Sequence, residues 1–86
     1  MKLTWRRGAK DLHWLLHDES RHNMNNRALI TLPGYLFWQG TFDTTIINAF
    51  VWSDKENDWV HDPDAPTELE ECQAYMAMRV RMGDTP

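Results

Sequence analysis

Hydrophobic and polar residues alternate along most of this chain, and the spacing becomes helical only near the C-terminus. Strict alternation is typical of a strand with one buried face, and short apolar runs bounded by turn residues are typical of strands covered on both faces. Strands are predicted on this basis at 2–6, 27–32, 35–40 and 44–53. Polar residues at 20–26 predict a loop, and Pro33-Gly34 predicts a type II turn, because glycine accepts the positive φ that this turn requires.

The segment Asp-Lys-Glu-Asn at 54–57 follows the run with the strongest strand pattern. It predicts a type I turn in which Asn57 takes the left-handed conformation, since asparagine tolerates positive φ better than most residues. A hairpin in this register places Trp52 directly opposite Trp59, and such a cross-strand aromatic pair stabilises a sheet by about 0.2–1 kcal/mol. The hairpin alone explains why the turn residues are polar, and no functional role is needed to explain them.

Residues 11–21 fit two structures. In a helix, Asp11 would be the N-cap and the three leucines would share a face, but Trp14 would lie on the polar side. In a strand, Leu12, Trp14 and Leu16 share one face, and the preceding Gly-Ala-Lys-Asp segment makes a turn. The strand accommodates the tryptophan better and is slightly favoured, with a short N-terminal helix as the alternative.

The C-terminal segment 67–83 has the signals of an α-helix. Thr67 and Glu70 match a capping box, acidic residues fill the first turn, and Gly83 is a natural helix end. The inner face predicted from the helical spacing consists of Leu69, Cys72, Met76 and Val80. The whole pattern predicts one α+β domain over residues 1–86, a small antiparallel β-meander with a C-terminal helix packed on one face.

Charge is distributed unevenly along the chain, whose net charge is −4. Residues 1–27 carry six basic and three acidic side chains, whereas residues 28–86 carry three basic and ten acidic ones. The single cysteine excludes an intrachain disulfide, and no apolar run approaches the roughly 20 residues that cross a bilayer. With no secretory segment recognisable, these features predict a cytoplasmic protein that does not associate with a membrane.

Two surfaces are predicted to bind a partner. One is acidic and runs along the hairpin to the helix start, with Trp59 as its apolar anchor. Its predicted carboxylates are Asp54, Glu56, Asp58, Asp62 and Asp64. The other is an outer stripe on the helix, formed by Tyr75, Met78 and Met82. These surfaces predict a non-catalytic protein-binding module, an inhibitor or modulator of the immunity-like or phage-encoded type. The expected partners are a basic protein, such as one that binds nucleic acid, or a second copy in a homodimer.

The alternative function is nucleic-acid binding through the N-terminal strand. Its candidate residues are Trp5, Arg6, Arg7 and Lys10, which combine stacking and positive charge in one short segment. The net negative charge of the chain opposes this alternative, because contacts with phosphates supply most non-specific affinity for nucleic acid.

No metal, cofactor or catalytic residue is predicted. The acidic hairpin places carboxylates where a calcium loop begins, but Trp59 stands where that loop needs glycine and Ala65 where it needs glutamate. His13 and His17 stand four residues apart, yet no tight cluster of zinc ligands accompanies them. Cys72 lies on the predicted inner face of the helix, where a buried thiol packs as a small hydrophobic residue.

Overall fold

A computed structural model describes residues 1–35 and 42–85. Within these residues, five strands form one antiparallel sheet, and a helix follows them. The strands are β1 (Leu3–Arg7), β2 (His13–Asp18), β3 (Asn26–Thr31), β4 (Asn48–Ser53) and β5 (Asp58–Asp62), and the helix α1 spans Leu69–Arg81. The strands lie in the sheet in their order along the chain, and each is antiparallel to the next. The predicted α+β meander with a C-terminal helix is confirmed.

The ambiguous segment is a strand, and the alternative helix at 11–21 is wrong. Trp14 pairs with Ile30 of β3, and Leu16 pairs with Ala28. Both β2 residues thus share the face that supplies the hydrophobic core, where Leu16 is 1% exposed. A helix would have left the indole of Trp14 on its polar side, so the burial of this large side chain favours the strand.

Two predicted turns are confirmed. Gly34 has a φ of 92°, and the Tyr35 N–H donates to the Leu32 carbonyl at 3.1 Å, as in a type II turn. Asn57 has a φ of 54° at the end of the turn between β4 and β5, and Trp52 stands opposite Trp59. β4 begins at Asn48, so it is shorter than the predicted strand. The strand predicted at 35–40 falls almost wholly within 36–41, outside the described residues.

The hydrophobic core lies between α1 and one face of the sheet, chiefly over β3 and β4. Its buried residues are Leu16, Ala28, Ile30, Ala49, Val51, Cys72, Met76, Ala77 and Val80. The predicted inner face of the helix is confirmed, because Cys72 and Met76 are 0% exposed, Val80 is 5% exposed, and Leu69 packs against the core. Burying apolar area of this kind contributes about 25 cal/mol per Å².

The N-terminus of α1 is capped by Glu68, and the predicted capping box of Thr67 and Glu70 is wrong. The Glu68 backbone is extended, and its carboxylate accepts from the Glu71 N–H at 3.0 Å. The chain therefore enters the helix one residue later than predicted, where a longer side chain reaches the free N–H groups.

The chain leaves the C-terminus of α1 through a glycine, as predicted. The Gly83 N–H donates to the Val80 carbonyl at 3.2 Å, and the Asp84 N–H donates to the Arg79 carbonyl at 3.0 Å. This is the hydrogen-bond pattern of a Schellman motif, which needs a left-handed residue after the helix. Gly83 supplies it with a φ of 69°.

Candidate partner-binding surface

Trp52 and Trp59 meet on the sheet face that points away from α1. Neighbouring residues on a strand point to opposite faces, and Val51 belongs to the core beneath the helix. The two indole rings lie with centroids 5.4 Å apart and planes at 81°, an edge-to-face arrangement. Both side chains are half-buried, so part of each ring remains accessible.

The two rings form part of a groove of about 310 Å³ that is also lined by Met24, Asn25 and Asn26. Met24 is 51% exposed and has a φ of 50°, a left-handed conformation that is uncommon for a residue with a long side chain. It stands in the loop before β3, so the groove combines this loop with the hairpin of β4 and β5. Sequence reasoning missed the loop residues; the one signal was an isolated methionine among asparagines.

The ion pair between Arg27 and Asp54 holds the groove together. Arg27 Nη2 donates to Asp54 Oδ2 at 2.9 Å, and Arg27 Nη1 donates to the Met24 carbonyl at 2.8 Å. The indole N–H of Trp52 donates to Asp54 Oδ1 at 3.2 Å. The Arg27 guanidinium holds the pKa of Asp54 below its usual range, so this carboxylate is ionised at neutral pH. One carboxylate thus fixes the loop, through Arg27, and the indole ring of Trp52.

The five predicted carboxylates do not form one continuous strip. Asp58 and Asp62 lie on the α1 side of β5 together with Val60, because they alternate with Trp59. Asp58 is half-buried and accepts from the Trp59 backbone N–H at 2.7 Å. Asp62 is only 5% exposed and forms an ion pair with Arg79 of α1. Neither residue faces the groove.

The remaining predicted carboxylates are separated by the length of β5. Asp54 accepts the indole N–H of Trp52 beside the groove, and Glu56 is exposed in the turn at the same end of the hairpin. Asp64 is exposed beyond the other end of β5. Of these three carboxylates, Asp54 and Glu56 stand at the end of the hairpin where Trp59 lies, and Asp64 does not.

The predicted outer stripe of the helix is divided as well. Met78 and Met82 are 54% and 74% exposed, whereas Tyr75 is half-buried and packs against the core. Burial, followed by the nearby charge of Asp62, raises the pKa of Tyr75. The prediction placed Tyr75 opposite the inner face, but a residue one position before the buried Met76 lies to the side of the helix, here toward Asp62.

The N-terminal basic segment does not form one surface. Trp5 packs against the core, and Arg6 points to the other face, where its Nη2 lies 3.1 Å from Glu19 Oε1. Arg7 lies over the Trp14 ring at 5.3 Å and pairs with Asp11 at 3.5 Å. Lys10 is exposed in the turn that follows. Both arginines thus already hold a carboxylate.

The histidines and the cysteine, which are potential metal ligands, do not come together in one site. Cys72 is 0% exposed beneath the sheet, and burial raises the pKa of its thiol to about 12, so it is protonated at neutral pH. His17 lies on the opposite face, with its Nδ1 3.1 Å from Asn26 Oδ1. Across residues 1–35 and 42–85, no three metal-ligating side chains come together.

Comparison with models of protein families, with curated proteins and with solved structures found no match to this chain. In the described part of the chain, no helix has the length and apolarity needed to cross a bilayer.

Proposed function

We propose that this protein is a non-catalytic protein-binding module that inhibits or modulates its partner, and that the groove beside Trp52 and Trp59 anchors the partner. One observation carries the proposal: two half-buried tryptophans stand nearly perpendicular beside a groove of about 310 Å³. Tryptophan is enriched among the residues that contribute most to binding, and these residues cluster in pockets that a partner closes off from water.

The hydrogen bonds beneath the groove support this role. Asp54 already fixes Trp52 and Arg27, and Arg27 in turn fixes the Met24 loop. Ordering mobile side chains costs about 0.5–1.5 kcal/mol each when a complex forms. A groove whose parts are held in place before binding avoids part of that cost.

Charge supports a basic partner. The chain carries a net charge of −4, and in the turn between β4 and β5 Glu56 is exposed next to Lys55. Charges at the rim of an interface mainly speed association and make its rate depend on salt. The nucleic-acid alternative receives less support, because Arg6 and Arg7 hold carboxylates and Trp5 packs against the core.

A second contact surface on α1 is also part of the proposal. Met78 and Met82 are exposed on the outer side of the helix, and methionine adapts to varied apolar surfaces. This surface suits a second copy of the chain in a homodimer. We place the protein in the cytoplasm, in keeping with its single, buried cysteine.

Selection from a library of random 12-residue peptides tests the groove without a known partner. Two methionines offer a matched pair of variants, since Met24 is 51% exposed in the groove and Met78 is 54% exposed on the helix. We expect the selected peptides to bind Met24→Ala and Trp59→Ala about tenfold more weakly than the wild type, and to bind Met78→Ala equally well. Peptides that bind all three variants with unchanged affinity would exclude the groove as the binding site.

A further inference from the structure

We infer that the groove takes an arginine side chain of the partner. The inference rests on the proposed function and names the chemistry that this site recognises. The five lining residues, Met24, Asn25, Asn26, Trp52 and Trp59, supply apolar surface, amide groups and aromatic faces, and none of them is charged.

The ring geometry favours a cation. An aromatic ring is negative over its face and positive at its edge, so a cation is attracted to the face, and tryptophan attracts it most strongly. Because the two indole planes lie at 81°, the corner between them is bounded by one face of each ring. A planar cation placed there lies against one face and directs its edge toward the other.

Asp54 strengthens this preference. Its carboxylate accepts the indole N–H of Trp52 at 3.2 Å, and such an acceptor makes the ring more electron-rich. The Asp54 side chain remains 56% exposed at the rim, although Arg27 pairs with it. Arg27 does not occupy the groove, because its side chain is 8% exposed and its nitrogens donate to Asp54 and the Met24 carbonyl.

A second arginine, besides Arg27, lies near the same carboxylate. Arg21 Nη1 lies 3.9 Å from Asp54 Oδ2, which is longer than a hydrogen bond, and its side chain is 38% exposed. An exposed pair of this kind contributes little, so an incoming guanidinium displaces it at small cost. Lys55 and Glu56 are both exposed in the adjacent turn, so the turn adds no net charge and Asp54 is the carboxylate that attracts the cation.

Arginine fits the lining better than lysine does. Its planar guanidinium stacks on an aromatic face while its edge donates hydrogen bonds, whereas an ammonium is compact and strongly hydrated. Asn25 lines the groove and carries an amide oxygen that can accept a hydrogen bond, and Met24 offers apolar surface to the alkyl stem. A volume of about 310 Å³ lies at the lower end of ligand pockets, which suits a single side chain.

The test uses four blocked amino acids as probes: the N-acetyl amides of arginine, lysine, citrulline and leucine. Citrulline has the shape of arginine without its charge. We expect the arginine probe to shift the indole N–H signals of Trp52 and Trp59 in NMR titrations and to bind about fivefold more tightly than the citrulline probe. The lysine probe should bind more weakly than arginine, Trp59→Leu should abolish the shifts, and Met78→Ala should preserve them.

Two contrary results would separate this inference from the proposed function. If citrulline or leucine binds as tightly as arginine, the groove selects shape or apolar surface, and the arginine inference is wrong. The same conclusion follows if library peptides require Trp59 but lose no affinity when each of their arginines is replaced by citrulline, while the proposed function stands. If no probe shifts the indole signals and no peptide requires the groove, both fail.

Discussion

Asp54 and Asp62 come from one acidic stretch, and each pairs with an arginine, yet burial is reversed in the two pairs. At the hairpin, the Asp54 side chain is 56% exposed and that of Arg27 only 8%. At the helix, the Asp62 side chain is 3% exposed and that of Arg79 is 20%. The first pair buries a cation beneath the groove, and the second buries an anion between β5 and α1.

The difference predicts which substitution in each pair destabilises the protein more. Removing one partner of a buried ion pair destabilises a protein mainly because the other charge is left buried and uncompensated. The loss therefore depends on the burial of the residue that stays, not of the residue that is removed. Deleting the more exposed member should cost more in both pairs.

Arg79→Leu should give the largest loss. It leaves Asp62 buried without its cation, and breaking a buried pair in this way costs about 3–5 kcal/mol in the free energy of unfolding. The reverse variant, Asp62→Ala, should cost less, because Arg79 also pairs with Asp84 at 3.5 Å. Urea denaturation measures both. Arg81→Leu is the matched control, since Arg81 is exposed in the same turn of α1. Equal losses for Arg79→Leu and Arg81→Leu would contradict this account of the helix pair.

Asp54→Ala should cost about 1–3 kcal/mol, because it leaves the donors of Arg27 and Trp52 without their carboxylate. The pKa of Asp54 is lowered in the folded state, so its contribution is present above its ordinary value of 3.8 and is lost as the pH falls through the folded pKa. The stability difference between wild type and Asp54→Ala should thus shrink below pH 3.8. Urea denaturation across this pH range, with Glu56→Ala as control, measures whether the stability difference shrinks in acid. A difference that grows with acid would contradict it.

Glu68→Ala should cost about 1 kcal/mol, the usual value of a lost helix cap. This carboxylate accepts from two backbone N–H groups of α1 and, unlike both aspartates, has no arginine partner in any described contact. Thr67→Ala should change the stability by less than about 0.5 kcal/mol. Thermal unfolding of the two variants tests the position of the cap. A larger loss for Thr67→Ala would restore the capping box that the sequence predicted.

Asp64→Ala should have the smallest effect, within about 0.5 kcal/mol of the wild type. Its carboxylate is exposed and forms no hydrogen bond or ion pair with the described residues. Its backbone N–H donates to Asp62 Oδ1 at 3.0 Å and is kept in the variant. Asp62→Ala, two residues earlier, gives the comparison in the same denaturation experiment. A loss above about 1 kcal/mol for Asp64→Ala would show that the exposure of a carboxylate does not determine how much its removal destabilises the protein.

Local patterns predicted most of the fold. The turn that ends at Asn57 and the pairing of Trp52 with Trp59 depend on residues close together in the chain. The inner face of α1 follows from helical spacing, because Cys72 and Met76 recur on one side. The cap at Glu68 could not be predicted, since Thr67 offered the stronger local signal and only the extended backbone at Glu68 decides between them.

The candidate site was predicted only in part. Trp59 was identified, but Met24, which lines the groove, and Arg27, which donates to the Met24 carbonyl beside it, come from a loop and a strand far earlier in the chain. The inward position of Asp62 could have been read from the alternation with Trp59 on β5. The ion pair between Arg79 and Asp62 depends on how α1 crosses the sheet, and a sequence pattern does not specify that crossing.

The strictly sequential order of the strands has a consequence for folding kinetics. Each strand pairs with the strand next to it in the chain, so the hairpins require only the closure of the intervening loops. Proteins dominated by contacts between near neighbours in the chain fold faster than those that must first bring distant segments together. A longer closure on this path is the docking of α1 on β3, because β4 and β5 lie between them in the chain. The hairpins can therefore form before the core beneath the helix closes, and the buried pair of Asp62 and Arg79 belongs to that later step.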